Sequence, residues 1–362
     1  MIISRYNLIK MNIKITGSGS YIPNQIVANI DFAKHQFLNE DGSSFHHPND
    51  VIAEKFKEIT GISERRYADN NLVTSDIAFF AAEKAIADAK IDPETLDYII
   101  FAHNFGNVKQ GAIQGDAVPS LAARVKQKLR IKNPKCVAYD VLFGCPGWVE
   151  GVIQANAFIK AGMAKKCMVI GAETLSRVVD AHDRDSMIYS DGAGATIIEA
   201  TTEEGGILNH TSATFATDEA DYLFYGNSFN KELDPDVRYI KMHGRKIYEF
   251  ALNQVPNAMK ECLDETGIDI SEVKKVLIHQ ANEKMDEAIV NRFFKLYNQN
   301  MPEGIMPMSI HKLGNSSVAT VPTLYDLLLK GKLENQEVHK GDVIIFASVG
   351  AGMNINAIVY RL

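Results

Sequence analysis

The chain has 362 residues, a net charge of -7 at pH 7 and a sequence pI of ≈ 5.8, with 46% hydrophobic and 23% charged residues. That balance suits a globular protein with a sizeable core, and it excludes a domain-wide basic face for nucleic acid. No apolar run nears the ~20 residues needed to span a bilayer.

Residues 1–10 lack a signal-peptide layout and read as an N-terminal extension from an upstream start, because a strand pattern opens only at Met11. Residues 13–19 (IKITGSG) form a short apolar run closed by glycines, as in a buried strand. Residues 39–50 (NEDGSSFHHPND) are a polar insertion. Residues 74–90 carry Ile77, Ala81, Ala85, Ile86 and Ala89 at helical spacing, with Thr74 or Ser75 as the N-cap. Residues 96–102 (LDYIIFA), 136–142 (CVAYDVL) and 166–172 (KCMVIGA) are continuous apolar strands of the kind covered on both faces. A second polar insertion occupies 104–116, and 148–161, rich in Ala, Ile and Val, reads as a buried helix. Another strand follows at 192–200. Strands alternating with helices indicate α/β layers.

The second half repeats the first in pattern. Residues 85–102 (AIADAKIDPETLDYIIFA) resemble 262–279 (CLDETGIDISEVKKVLIH): helix, Ile-Asp, acidic turn, strand. The organisation expected is two similar halves, 11–204 and 205–362, packed face to face. Within the second, 215–238 is aromatic and acidic with little periodicity, and 341–349 (GDVIIFASV) is a late strand leading into Gly350. Unpatterned segments of this length are often functional lids or dimer arms.

The four cysteines are widely spaced and form no CxxC pair, so neither a disulfide framework nor a zinc site is expected, and the protein reads as cytoplasmic. Cys136, Cys167 and Cys262 read as small buried hydrophobes. Cys145 differs, because strand-Gly-Cys-Pro-Gly-helix puts it at a helix N-terminus. Pro146 fits the first helical position, and the helix dipole there lowers a thiol pKa, so Cys145 is the candidate nucleophile. His279 ends a strand in the opposite half, where α/β ligand sites collect. Asn315, in GNSS, reads alone as a loop and helix N-cap.

Together, GCPGW around Cys145, IHQAN around His279 and GNSS around Asn315 resemble the Cys-His-Asn enzymes of the 3-oxoacyl-(acyl carrier protein) synthase III family. Further segments share the likeness: ITGSGSYIP (15–23), ITGISERRYA (59–68), VPS (118–120), SDGAGA (190–195) and GAGMN (350–354). The resemblance covers the chain from Met11. It implies a duplicated five-layer αβαβα thiolase fold, a homodimer, and no metal or redox cofactor.

It also implies roles. Cys145 would take an acyl group from a coenzyme A or carrier-protein thioester, with the backbone N–H groups of Cys145 and Ala351 as oxyanion hole. His279 and Asn315 would stabilise the enolate formed as malonyl-acyl carrier protein loses CO2. Arg184 matches a coenzyme-contacting arginine, and Lys284 is the candidate docking residue for an acidic carrier protein. Val118 stands where a bulky aromatic of the family reaches into the partner subunit. The family's adenine-clamping tryptophan and arginine are Lys55 and Ile59 here. These departures favour an alternative, a secondary-metabolism ketosynthase of the dialkylresorcinol or cyclohexanedione type joining an acyl chain to a 3-oxoacyl thioester. A non-catalytic acyl-binding partner subunit is the other alternative, against which the three intact residues speak.

Overall fold

The structure is a computed structural model and describes residues 11–362; the leading decapeptide lies outside the described residues. The chain begins with β1 (Asn12–Tyr21), β2 (Gln25–Ala28), α1 (Asn49–Thr60), β3 (Glu64–Tyr67) and α2 (Thr74–Ala89). It continues through β4 (Tyr98–Ala102), α3 (Leu121–Lys128), β5 (Val137–Val141), α4 (Gly147–Lys160), β6 (Lys166–Thr174) and β7 (Asp191–Thr201). Then come β8 (Gly206–Thr214), β9 (Leu223–Asn227), β10 (Arg238–Met242), α5 (Gly244–Asp264) and β11 (Val273–Ile278). The remainder is α6 (Glu283–Lys295), α7 (Ile310–Leu313), α8 (Thr320–Leu329), β12 (Val343–Gly350) and β13 (Asn354–Arg361).

Two sheets form the frame. The first has the order β1-β7-β6-β4-β5, with β4 parallel to both neighbours and β7 antiparallel to both of its own. The second has the order β11-β12-β13-β8, parallel only between β11 and β12. Three apolar clusters define five layers. Helices α2 and α3 pack on the outer face of the first sheet, through Ile77, Ala81, Leu121 and Val125 against Ile99 and Ile170. Helices α4 and α8 lie between the sheets, where Trp148, Val152, Leu324 and Tyr325 meet Val169 and Ile198 on one side and Phe346 and Tyr360 on the other. Helices α5 and α6 cover the far face of the second sheet, through Val255, Met259, Ile289 and Phe293.

Burial on both faces explains why β4, β6 and β12 read as apolar runs rather than alternating ones. The buried Trp148 keeps its one polar atom paired, donating to Thr196 Oγ1 at 3.2 Å. Helix α2 sits unusually close to β1, because a Cβ on Gly19 would fall 2.4 Å from the Ala81 carbonyl oxygen. The repeat seen in the sequence is a repeat of conformation too. Each copy passes through a short 3-10 turn in which the preceding aspartate accepts from the N–H of the turn's second residue: Asp92 from Glu94 N at 3.0 Å, and Asp269 from Ser271 N at 2.9 Å.

Some expectations need correction. Thr74 is the first residue of α2, not its cap; its hydroxyl is committed to Gly106 O at 2.9 Å and Thr174 Oγ1 at 2.8 Å, while Asp76 accepts the Val73 N–H. Residues 215–238 are not unstructured, since they contain β9 and lead into β10, and the two pair as a hairpin. Helix α1 had no expectation at all.

That hairpin, α1 and the loop after β6 form a fourth apolar cluster beside the layers, including Phe32, Phe56, Met187 and Ile240. A buried ion group ties it down. Lys241 Nζ on β10 lies 2.6 Å from Asp180 Oδ2 and 3.0 Å from Asp183 Oδ2, and 3.5 Å from the centre of the Phe229 ring. Replacing one member strands the others without water. Lys241→Met is expected to cost about 3–5 kcal/mol, read as a lowered urea midpoint. An unchanged midpoint would show that the group contributes nothing.

Candidate active site

Cys145 sits in the turn between β5 and α4. Gly144 turns the chain at φ +64, Pro146 occupies the cap position, and α4 begins at Gly147, one residue later than expected. The turn after β12 presses against it: a Cβ on Gly350 would fall 2.4 Å from the Cys145 nitrogen, and one on Gly144 would fall 2.5 Å from the Ala351 nitrogen. Asn354 holds the two turns together, its Nδ2 donating to Ala351 O at 2.7 Å and to Phe143 O at 3.4 Å. The amides of Cys145 and Ala351 are thereby brought together.

His279 directly follows β11 and donates its backbone N–H to Ala347 O on β12 at 2.9 Å. The side chain is buried, Nδ1 has no partner, and burial pushes its pKa down to about 4, so the ring is neutral at ordinary pH. Gln280 does the positioning beside it. Its Oε1 accepts from Ser309 N at 2.9 Å and Ile310 N at 3.0 Å, and its Nε2 donates to Pro307 O at 2.8 Å. This fixes the segment that leads through α7 to Asn315. Asn315 is held by its backbone to Ile188 and Ser190, at 2.9 and 2.8 Å, and its Oδ1 accepts the Ser317 N–H at 2.8 Å. The Asn315 Nδ2 is the end of that side chain left to donate.

Cys145, His279, Asn315, Ala351 and Arg184 line one cavity of ≈ 770 Å³. Lys55 and Ile59 of α1 line it as well, with Phe45, Phe56, Phe105, Phe224 and Tyr225 making much of the apolar wall. Arg184 places its guanidinium 5.4 Å from the centre of the Phe45 ring. Val118 and Lys284 are not part of this wall. Val118 is 86% exposed in the loop ahead of α3, and Lys284 is exposed on the first turn of α6, next to the lining residue Met285. Among the described residues no group of three or more His, Cys, Asp or Glu is gathered as metal ligands would be.

The expected lowering of the Cys145 pKa is not what the site gives. Burial pushes the thiol up to about 11; a hydrogen bond from Ser317 Oγ, 3.3 Å away, pulls it down, and the Glu173 carboxylate pushes it further up. Desolvation in an apolar cavity outweighs what a helix end returns. Burial in the folded state is invisible in a local motif. The same applies to the partners of Gln280 and Ser317 and to the β9–β10 wall, which only long-range contacts bring to the site.

Comparison with known proteins shows the family. Residues 139–215 match the family model of 3-oxoacyl-[acyl-carrier-protein (ACP)] synthase III, and residues 263–362 match the model of its C-terminal part. The chain is 31% identical over 353 residues to beta-ketoacyl-[acyl-carrier-protein] synthase III 1 of Bacillus anthracis, covering 97% of this chain and 99% of that one. It superposes on the crystal structure of 3-oxoacyl-[acyl-carrier-protein] synthase III from Aquifex aeolicus with TM-score 0.78 and 29% identity, over 97% of this chain and 100% of that one. Xanthomonas campestris OleA, at 18% identity and TM-score 0.76 over 97% and 98% of the two chains, shares the fold. Two layered sheets around α4 and α8, with the site where their strands end, are the duplicated thiolase fold, and the chain belongs to the 3-oxoacyl-[acyl-carrier-protein] synthase III family of condensing enzymes.

Proposed function

We propose that this condensing enzyme is acylated on Cys145 and joins the acyl group to malonyl-acyl carrier protein. The observation that carries the reading is the convergence of Cys145, His279 and Asn315 on one cavity, with the Ala351 turn packed on the Cys145 amide. The Cys145 thiolate attacks a thioester carbonyl. The N–H groups of Cys145 and Ala351 hold the oxyanion, and the carrier thiol leaves with a proton. A malonyl thioester then enters, with its carbonyl against His279 and Asn315. Loss of CO2 leaves an enolate whose negative oxygen these two donors hold. The enolate carbon attacks acyl-Cys145, the Cys145 sulfur departs, and a 3-oxoacyl thioester results. Cys145 belongs to the half before Gly205, and His279 and Asn315 to the half after it.

The remaining assignments are part of the same reading. Arg184 at the cavity wall contacts the phosphates of the incoming carrier arm. Lys284 offers a positive charge to an acidic carrier protein, which acts mainly on association rate. Val118 meets a second copy of the chain in a homodimer, and the enzyme works in the cytoplasm.

A second reading of the substrate draws on the cavity itself. At ≈ 770 Å³ it lies high in the range of about 300–1,000 Å³ for small-molecule sites. Its wall of phenylalanines and the apolar Ile59 favour an acyl chain longer than acetyl, as in ketosynthases that extend long primers onto a 3-oxoacyl thioester.

Intact-mass measurement after mixing with short and long acyl thioesters tests both points. One acyl adduct should form and map to Cys145, and Cys145→Ala should form none; an adduct retained in the mutant would remove the nucleophile. Long-chain thioesters giving no adduct would remove the second reading. A non-catalytic subunit shows no adduct with any of them.

His279→Ala and Asn315→Ala should slow CO2 release by about 10²-fold or more while slowing acyl loading far less, since the charge they hold develops only in the second half-reaction. Equal loss in both steps would reject the division. The two steps should also differ in pH dependence. With the thiol at about 11, the thiolate fraction grows with pH, so acyl loading should rise steadily through the neutral and mildly alkaline range. With His279 at about 4, decarboxylation by preloaded enzyme should stay flat between about pH 6 and pH 9. A loading rate that falls as pH rises would contradict this assignment.

A further inference from the structure

A chain of polar groups runs from the Cys145 sulfur into the first sheet, and the mechanism above uses none of it. Ser317 Oγ lies 3.3 Å from Cys145 Sγ. Asn104 Nδ2 lies 3.3 Å from Ser317 Oγ and 2.7 Å from Glu173 Oε1, and the Asn104 backbone N–H reaches the same Oε1 at 2.6 Å. Glu173 is fully buried on β6, and its Oε2 has no partner. Two backbone features bring the groups together. Gly171 on β6 admits the loop after Asn315, since a Cβ there would fall 2.3 Å from Val318 O. Ser317 is held at φ +52, a left-handed conformation that serine rarely adopts. That conformation points its N–H at Asn315 Oδ1 and its hydroxyl at the thiol.

The direction of this chain is fixed at its far end. Glu173 Oε1 can only accept, and a proton arriving on the carboxyl group takes the partnerless Oε2, so Oε1 accepts in either state. Asn104 must therefore turn its NH2 toward Glu173, which spends one of its two hydrogens. The other points at Ser317 Oγ. The serine oxygen is then an acceptor from Asn104, and its own hydrogen is left for Cys145 Sγ. Asn104 occupies one lone pair of the serine oxygen, which biases the hydroxyl toward presenting its hydrogen to the sulfur, and most strongly when that sulfur is a thiolate that can only accept.

We infer that Ser317 is a further catalytic residue of the acyl-loading step, donating to the Cys145 thiolate, and that Asn104 and Glu173 are positioning residues that set the direction of its hydroxyl. The inference rests on Cys145 as the nucleophile and adds a donor separate from the His279 and Asn315 pair. The surroundings make that donor count. Of the other titratable groups around the sulfur, burial keeps the His279 ring and the Tyr189 phenol both neutral, so the histidine brings no positive charge and the tyrosine no negative one. Glu173, raised to about 7 by burial and set near His103, opposes the thiolate whenever it is ionised. In such a site a charge-assisted hydrogen bond is among the few things that favour S⁻. The same serine also fixes Asn315 through its backbone, so its side chain and its main chain serve different half-reactions.

Alkylation by iodoacetamide, followed against pH and read by peptide mapping, tests this without any acyl substrate, so a failed acylation assay and a failed donor chain are separate results. Ser317→Ala keeps the backbone N–H on Asn315 but removes the donor. Asn104→Leu removes both of its hydrogens. Each should displace the Cys145 profile to higher pH and slow alkylation at neutral pH about tenfold. Glu173→Gln can still present a carbonyl oxygen to Asn104 while losing the negative charge, and should make alkylation faster. Cys136, Cys167 and Cys262 are buried, and their labelling in the same map reports any unfolding; if Asn104→Leu exposes them, Asn104→Ala takes its place. A Ser317→Ala or Asn104 variant that titrates like the parent overturns the inference, as does a Glu173→Gln that alkylates more slowly.

Discussion

The contact on which this site depends is that of two backbones, Gly350 against Cys145. With the Gly350 α-carbon this near, any side chain there would place its first carbon 2.4 Å from the Cys145 nitrogen. Gly144, at φ +64, faces Ala351 in the same way from the other side. The two turns therefore belong to one unit, although one follows β5 in the first sheet and the other follows β12 in the second. What holds them at this separation is the middle layer. Helices α4 and α8 are buried between the sheets, and Trp148, Tyr325, Phe346 and Tyr360 pack ring edge to ring face across it. Interiors packed to this density yield little, so a core built far from the thiol fixes the spacing of the two amides beside it.

Burial then decides the electrostatics. An apolar cavity raises the thiol and lowers the histidine, which leaves both neutral at ordinary pH. For the histidine this is an asset, because a neutral imidazole can donate to a carbonyl without adding a charge that must be solvated. For the cysteine, as the proposed nucleophile, it is a cost that falls on the first half-reaction. The same low dielectric strengthens every fixed donor aimed at developing negative charge. In the mechanism proposed above, the site therefore trades an easily ionised nucleophile for strong stabilisation of the oxyanion and the enolate.

The sequence carried the parts of this arrangement that are local. Continuous apolar runs marked the buried strands β4 and β6, and glycine and proline around Cys145 marked a strand-to-helix turn, because backbone conformation leaves its signature in neighbouring residues. The same reading at 136–142 fails, because β5 is the edge of its sheet and none of its residues is buried. Asn315 was different. Its surroundings read as a loop and a cap, and only its likeness to a family gave it a role; in the structure its Oδ1 does accept a local backbone N–H, much as a cap would. Helix α1 escaped notice because its buried residues are few, Ile52, Phe56 and Thr60, against a largely polar remainder. The β9–β10 hairpin escaped because it is half exposed and its single buried charge, Lys241, finds its partners about sixty residues earlier in the chain. Gln280 and Glu173 were equally silent, since what matters about each is a partner brought close only by folding.

Placement of these overlooked elements separates chemistry from selection. Cys145, His279 and Ala351 all follow directly on strands of the two sheets or the turns that close them, where the layered core governs position. Much of the cavity's apolar wall comes instead from α1, the insertions at 39–50 and 104–116, and the β9–β10 hairpin, all attached at the side of the layers. Substitution among Phe45, Ile59, Phe105 and Tyr225 changes the space offered to an acyl chain without touching a sheet. The buried group of Lys241 with Asp180 and Asp183 gives that side wall its own anchorage, next to Arg184. A condensing enzyme built in this way can acquire a new primer through its side wall while the geometry around the sulfur stays as the core dictates.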